Sequence, residues 1–434
     1  MSDKDKRVRR NHGRDIKFDK LDNTANLFPV IAREGMSNVY RVAVVLKEDI
    51  EPELLQQALE QVLPYFEVFR ARMRRGLFWY YFETNRNPAP RVYEEDNYPC
   101  MYINPYENRE YQFRMTYYKN RINLEVFHAV TDGNGALSFL KEVTYQYLRY
   151  KYPDLARITD DNLEVDTSLD REDSYVKNYK RSAKKGYKTE KAVIVKGEKF
   201  PINQFGIIHG YVNLPDIKSV SKEYGVTINQ YLIATFIWSV YKEYLKSSES
   251  SKPISVCVPV NLRPYFESDT TKNFFVIVSA VFKPVKDKYT FEEVLVEVAQ
   301  SLHEQIQRDN LEKLFSYNVS NEKNLILRAV PLFIKNIAMK QIYRTSARAN
   351  TSTITNLGVV KVSEVYQDYI DKFYAVLSMS QGQNIKGAVC SYGDTLVFSF
   401  SSCLRETSIQ KSFFRKLSQD GISVSVETNG VYYE

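Results

Sequence analysis

Apolar and polar positions alternate most sharply just before residue 128. From Arg121 to His128, Ile122, Leu124, Val126 and His128 share one face, and Arg121, Asn123 and Glu125 share the other, the period-two pattern of a strand. Downstream the period changes: Ala136, Leu137, Leu140, Val143 and Tyr147 keep helical spacing through about residue 150. His128 is therefore expected at a strand end, on the apolar face, just before a turn that opens a helix. Asp132 and Gly133 lie in that turn. A strand end followed by a glycine-rich turn mounts a reactive side chain on a rigid frame.

The remaining pattern alternates between the same two periods. Val39 to Leu46 reads as a strand rich in Val. Glu51-Pro52 opens a helix with the apolar stripe Leu54, Leu55, Ala58, Leu59 and Val62, stopped by Pro64. Leu77 to Phe82 reads as a strand, and residues 85 to 110, with Pro88, Pro90, Pro99 and Pro105, as irregular. Tyr111 to Tyr118 forms a hairpin with the His128 strand around Lys119-Asn120. The acidic segment Asp154 to Asp173 then gives way to the basic segment Lys177 to Lys199, and this sign switch marks a crossover.

The second half restarts with a strand, Gly206 to Leu214, and a helix capped by Thr227. Strands follow at Ile254 to Val260 and from Asn273-Phe274-Phe275 through Phe282. Thr290-x-x-Glu293 is a capping box, and Leu325 to Arg344 a helical stretch broken near Pro331. Thr353 to Leu357, Phe373 to Met379, Ile385 to Cys390 and Leu396 to Phe400 are further strands. Thr407 is expected to cap a helix, with a last short strand at Ser423 to Val426. Both halves thus mix strands with flanking helices.

Composition narrows the classes. The chain has 434 residues, 44% hydrophobic and 26% charged, which suits a globular protein of two domains or lobes. No run reaches about 18 apolar residues, so no membrane span is expected. The charged N-terminus lacks the apolar core of a secretory signal. Cys100, Cys257, Cys390 and Cys403 are far apart in sequence and are read as reduced, in a cytoplasmic protein, and no metal-ligand spacing appears. The net charge of +7 is mild for this length; it suits an anionic substrate, an acidic carrier protein or simply a basic surface. No concentrated basic stripe or known module points to nucleic acid.

A histidine on an apolar strand face is more often a core residue than a catalyst. Asp132 four residues on, the surrounding glycines, and the scarcity of histidine (His12, His128, His209 and His303 only) set this one apart. His128-x-x-x-Asp132-Gly133 resembles the His-x-x-x-Asp-Gly motif of the coenzyme A-dependent acyltransferase superfamily, which includes chloramphenicol acetyltransferase-like enzymes and peptide-synthetase condensation domains. Pro259-Val260-Asn261-Leu262-Arg263 followed by Asn273-Phe274 is similar to the second-lobe signature of that group, and Gly225-Val226-Thr227-Ile228-Asn229 to its second-lobe helix. Asn356-Leu357-Gly358 is similar to an element of alcohol acetyltransferase-like proteins. The Asp-Phe-Gly-Trp-Gly motif of plant acyltransferases is absent. Phe127 stands where condensation domains carry the first of two histidines. The resemblance is therefore to an alcohol acetyltransferase-like branch.

The resemblance implies an α/β (α+β) fold of two chloramphenicol acetyltransferase-like lobes forming a pseudo-dimer, with mixed sheets flanked by helices. It divides the chain into a basic tail (1–14), an N-terminal lobe (15–175), a basic crossover (176–205) and a C-terminal lobe (206–434). It implies transfer of an acyl group from acyl-coenzyme A, as co-substrate, to a small hydroxyl or amine acceptor, with no tightly bound cofactor and no metal. His128 would act as general base, since a neutral imidazole removes the acceptor's proton as it attacks. Asp132 would either pair with Arg263 to fix the turn or only cap the following helix. Gly133 would let the backbone turn tightly. Thr353, Thr355 and Asn356 are the candidates for oxyanion donor. Two alternatives keep the fold: a donor tethered to an acyl carrier protein, and a non-catalytic binding protein.

Overall fold

The computed structural model describes residues 18–21, 25–158, 173–180, 190–323 and 329–433. The expected N-terminal tail, most of the acidic segment, the middle of the basic crossover and the start of the helix expected from Leu325 lie outside the described residues.

The strands, in chain order, are β1 (Phe18–Lys20), β2 (Val39–Leu46), β3 (Ala71–Arg75), β4 (Tyr80–Thr84), β5 (Tyr93–Glu94), β6 (Phe113–Tyr118), β7 (Arg121–Phe127), β8 (Gly206–Asn213), β9 (Ile254–Asn261), β10 (Phe275–Phe282), β11 (Ser352–Val359), β12 (Ile370–Leu377), β13 (Ile385–Tyr392), β14 (Thr395–Ser402) and β15 (Val424–Thr428). They form three sheets: β1-β4-β3, β12-β2-β7-β6-β5 and β10-β9-β11-β13-β14-β8-β15. The five-stranded sheet packs with the helices Pro52–Val62 and Gly133–Lys151 in one core. The seven-stranded sheet packs with the helices Ile228–Glu243, Phe291–Gln305 and Ser408–Gln419 in another. This is the expected α/β architecture of two lobes, mixed sheets flanked by helices. The two cores meet, because Ala388, Cys390 and Val397, on the other face of the seven-stranded sheet, belong to the core of the first lobe.

One strand crosses the expected division of the chain. β12 comes from the second half yet pairs antiparallel with β2, Phe373 opposite Val44 and Leu377 opposite Tyr40. Nothing in its alternation names its partner, since any sheet edge with a buried face accepts such a strand.

Local chemistry explains most boundaries. Thr227 and Thr290 close reciprocal capping boxes with Gln230 and Glu293. The helical stretch breaks at Pro331 as expected: Ala329 is still helical, and a helix runs on from Leu332 to Ser346 with Pro331 preceding its first turn. Thr407 precedes its helix without a side-chain bond to it; the Ser408 amide donates instead to Glu406 Oε1, at 2.9 Å. The strand expected from Leu77 starts at Tyr80, because Gly76 to Trp79 close a hairpin turn through a Gly76 amide to Trp79 carbonyl bond. The stretch read as irregular before residue 110 contains the two-residue strand β5.

Candidate active site between the lobes

His128 follows β7 immediately, and its amide donates to the Asn38 carbonyl at 3.0 Å. The half-buried imidazole is held among rings. Phe28 stacks on it at 4.5 Å, Tyr40 lies tilted at 4.9 Å and Phe275 of β10 at 5.8 Å. Phe275 belongs to the second lobe, so the imidazole stands where the two lobes meet. Nδ1 is buried and has no hydrogen-bonding neighbour among the described residues. Burial lowers the pKa of the imidazole; its own backbone, the Asp132 carboxylate and the Asn273 side chain oppose that shift, and the charge of Lys386 adds to it. The side-chain amide of Asn273 also faces the His128 carbonyl, at 3.4 Å.

The turn after His128 is fixed by one carboxylate. Asp132 Oδ1 accepts from the amides of Asn134 and Gly135, both at 3.1 Å, and so caps the helix Gly133–Lys151. The same carboxylate takes a bidentate pair from Arg263, Nη1 to Oδ2 at 2.8 Å and Nη2 to Oδ1 at 3.1 Å, and the Phe274 amide at 3.1 Å. The two roles weighed for Asp132 thus coexist. Arg263 uses every donor of its fork: Nε reaches the Thr270 carbonyl, Nη1 also Asn261 Oδ1, and Nη2 also the Lys272 carbonyl. A planar fork with five donors fits this job and an ammonium does not. The Tyr40 hydroxyl lies 2.9 and 2.8 Å from the carbonyl oxygens of Thr131 and Asp132.

The glycines of the turn are needed for space. Neither Gly133 nor Gly135 has a positive φ. The expected role of Gly133 in a tight turn is corrected accordingly: a Cβ there would overlap Leu357 of β11, so this glycine lets the second lobe approach. A Cβ on Gly135 would overlap the Thr131 hydroxyl and the Thr271 carbonyl, which are hydrogen-bonded to each other.

On β11 the oxyanion candidates separate. Ile354 points into the helix-covered core of the second lobe, whereas Leu357 reaches Gly133. Thr353 and Thr355 share the face of Leu357 by strand alternation. The Thr353 hydroxyl donates to Gln383 Oε1 at 2.7 Å. Asn356 is on the opposite face, bonded to Asn229 and to the Gly358 amide, and the structure does not bring it to His128. Sequence reasoning passed over Tyr40, Asn273 and Lys386. Asn273 was part of a recognised segment without a role, and the other two gave no signal in their own strands.

A cavity of about 700 Å³ opens on the second lobe, lined by Lys191, Lys196, Lys252 and Arg348 along with Tyr244 and the Gln381–Gly382 loop. Among the described residues no carboxylate is in ion-pair distance of these four cations. His128 does not line it; Gln383, just beyond the loop, accepts from the Thr353 hydroxyl of β11. All four cysteines are free, Cys100, Cys257 and Cys390 buried and Cys403 half-buried. Among the described residues no three His, Cys, Asp or Glu side chains cluster as a metal site, and no helix is long and apolar enough to cross a membrane.

This arrangement of two lobes, with mixed sheets flanked by helices, is the fold of solved condensation and epimerization domains and of TRI101. Among solved structures, the chain is similar to TRI101 of F. graminearum complexed with coenzyme A and T-2 mycotoxin, at TM-score 0.62 and 11% identity over 94% of this chain and 99% of that one. It is also similar to polyketide synthase associated protein 5 of Mycobacterium tuberculosis (TM-score 0.58, 11% identity, 92% and 96% covered). The epimerization domain from the third module of tyrocidine synthetase B matches at TM-score 0.59 and 10% identity, with 94% and 97% covered. At these identities the likeness is one of fold. No protein-family model and no curated protein matches the chain.

Proposed function

We propose that the protein is an acyltransferase that moves an acyl group from acyl-coenzyme A to a hydroxyl or amine, with His128 as general base. The observation that carries this reading is the mounting of His128: an imidazole at the meeting of the lobes, aimed by a turn that Asp132 and Arg263 lock from opposite lobes. Burial keeps the ring in its basic, uncharged form, and Nε2 is assigned to the acceptor's proton. Holding donor and acceptor on either side of the ring supplies proximity. The carbonyl oxygen that becomes negative is assigned to the Thr353–Thr355 face of β11. Asp132 and Arg263 position the base and do not touch substrate.

The cavity with four cations is assigned to the phosphates of the donor, since clustered Lys and Arg recognise phosphate by charge-assisted hydrogen bonds. Coenzyme A is present in the TRI101 structure. The lobes are assigned to residues 15–175 and 206–434, joined through 176–205, with β12 lent to the first. Four free thiols favour a cytoplasmic setting. A carrier-tethered donor uses the same histidine, and the condensation domains among the structural neighbours keep that reading in view.

The test is thiol release from a panel of acyl-coenzyme A donors mixed with pooled alcohols and amines. Release that requires an acceptor and disappears in His128→Ala supports the reading. Release that persists in the variant overturns the role of His128, and acyl transfer from a carrier protein alone moves the donor assignment.

A further inference from the structure

The second lobe carries a buried ammonium that the reaction above leaves unused. Lys386 lies on β13, 7% exposed, with the Ser380 hydroxyl as its hydrogen-bond partner. Among the described residues no carboxylate is in ion-pair distance of it. The thiols of Cys257 and Cys100 are the groups whose charge would support it, and burial holds both in the neutral form. An ammonium buried without an anion is costly, and proteins retain one where something else supplies the negative charge.

The sheet register shows where that charge would sit. Cys257 of β9 is opposite Thr353 of β11. Thr353 precedes the Ile354–Gly387 pair, which sets it beside Lys386, and Lys386 is opposite Ser401 of β14. Ile354, Ile385 and Val389 of the same strands point into the helix-covered core. Cys257, Thr353, Lys386 and Ser401 therefore form a row on the other face, the one turned to the first lobe. The row includes an oxyanion candidate, Thr353, on the β11 face whose Leu357 reaches the Gly133 turn, and the charge of Lys386 disfavours imidazolium at His128. Burial pulls the ammonium down to about 8, which still leaves it largely charged at neutral pH.

We propose that the row centred on Lys386 is a carboxylate-binding subsite of the reaction centre, so that one of the two substrates carries a free carboxylate. This rests on the acyltransferase reading for its place in the reaction. Two sources have the same chemistry: a dicarboxylic acyl group on the donor, or a hydroxy or amino acid as acceptor.

The experiment compares each carboxylate with its methyl ester. One arm pairs succinyl-coenzyme A or its methyl ester with neutral alcohols; the other pairs acetyl-coenzyme A with hydroxy and amino acids or their esters. Wild type is expected to prefer the free carboxylate in one arm by about 10- to 100-fold in kcat/KM, the range of one charged hydrogen bond. In Lys386→Met and in Lys386→Gln that preference collapses toward unity through KM. The arm that shows it names the source. Equal losses on carboxylate and ester in both variants overturn the subsite, as does a wild type without preference.

A binding readout separates this from the transferase reading. Succinate, unlike dimethyl succinate, should raise the melting temperature of wild type and not of either variant. That shift without any turnover retains the subsite and sinks the transferase. Turnover of neutral pairs with neither preference nor shift does the reverse, and neither turnover nor shift overturns both.

Discussion

Two histidines of this chain are enclosed by aromatic rings at nearly the same distances. His128 lies 4.5 Å from Phe28, and His209 lies 4.4 Å from Tyr374. His209 is in the middle of β8, with Nδ1 2.8 Å from the Ser399 hydroxyl. Burial, then the cations Arg121, Arg41 and Lys372, hold it down to about 3, so it stays neutral at any ordinary pH. His128 ends its strand, beside a carboxylate and an amide that partly restore its basicity. The strand face decides burial for both. The turn that follows sets them apart, and on the proposed reading it leaves only His128 placed to take a proton from a substrate.

The largest expected effect tests that contrast directly. His128→Ala should lower turnover by about 10²- to 10⁴-fold with an unchanged far-ultraviolet spectrum, whereas His209→Gln should leave turnover within a few-fold. Comparable losses in both would erase the distinction.

The lock of the turn comes next. Asp132→Leu or Arg263→Met leaves the other charge buried and unpaired, at about 3–5 kcal/mol by chemical denaturation. The double variant should cost less than the sum of the two, and strict additivity would mean that the pair is not coupled. Gly135→Ala should destabilise by about 1–3 kcal/mol, because a backbone carbonyl stands in the way. Gly133→Ala should cost less, since it meets only the movable end of Leu357; the reverse order in melting temperature would contradict this packing.

The smallest effects are in pH. A lowered pKa keeps His128 basic below 6.5, so kcat/KM should hold its plateau as the pH falls through that value. A fall centred at 6.5 would place the base elsewhere. His209 acts on stability in the same range. Below 6.5 the unfolded chain takes up a proton that the folded chain refuses until about 3, so stability declines across that window, and His209→Gln should flatten the decline.

Most of the site was legible because it is local. The strand to Phe127, the turn and the helix from Gly133 follow from periodicity and spacing within thirty or so residues, and the match to Arg263 came from a second recognisable segment. What escaped depends on distant partners. The polar face of β7 reads as solvent-facing in alternation, yet Glu125 is fully buried, bonded to the guanidinium groups of Arg41 (2.7 Å) and Arg114 and to the Cys100 amide (2.6 Å). Arg41 is further paired with Glu95 at 2.5 Å, and Glu95 follows the short strand β5 that was read as irregular. A charge is placed inside only once its partners are known, and here the two counter-charges, the Cys100 amide and Glu95 come from separate segments of the chain. Lys386 escaped for the opposite reason: what marks it is that no carboxylate among the described residues is in ion-pair distance, which no local pattern encodes.

β12 has a consequence for how the chain is made. The outer edge of β2 is closed by a strand that ends at Leu377, far along the sequence. A ribosome delivers β2, β6 and β7 long before that strand, and during the interval Val39 to Leu46 presents an unpaired apolar edge of the kind that recruits other chains. A fragment ending before residue 206 should therefore be made mostly as aggregate and be rescued in the presence of the remaining half. The lobes look separable on paper, but the first one finishes folding only after most of the second has emerged.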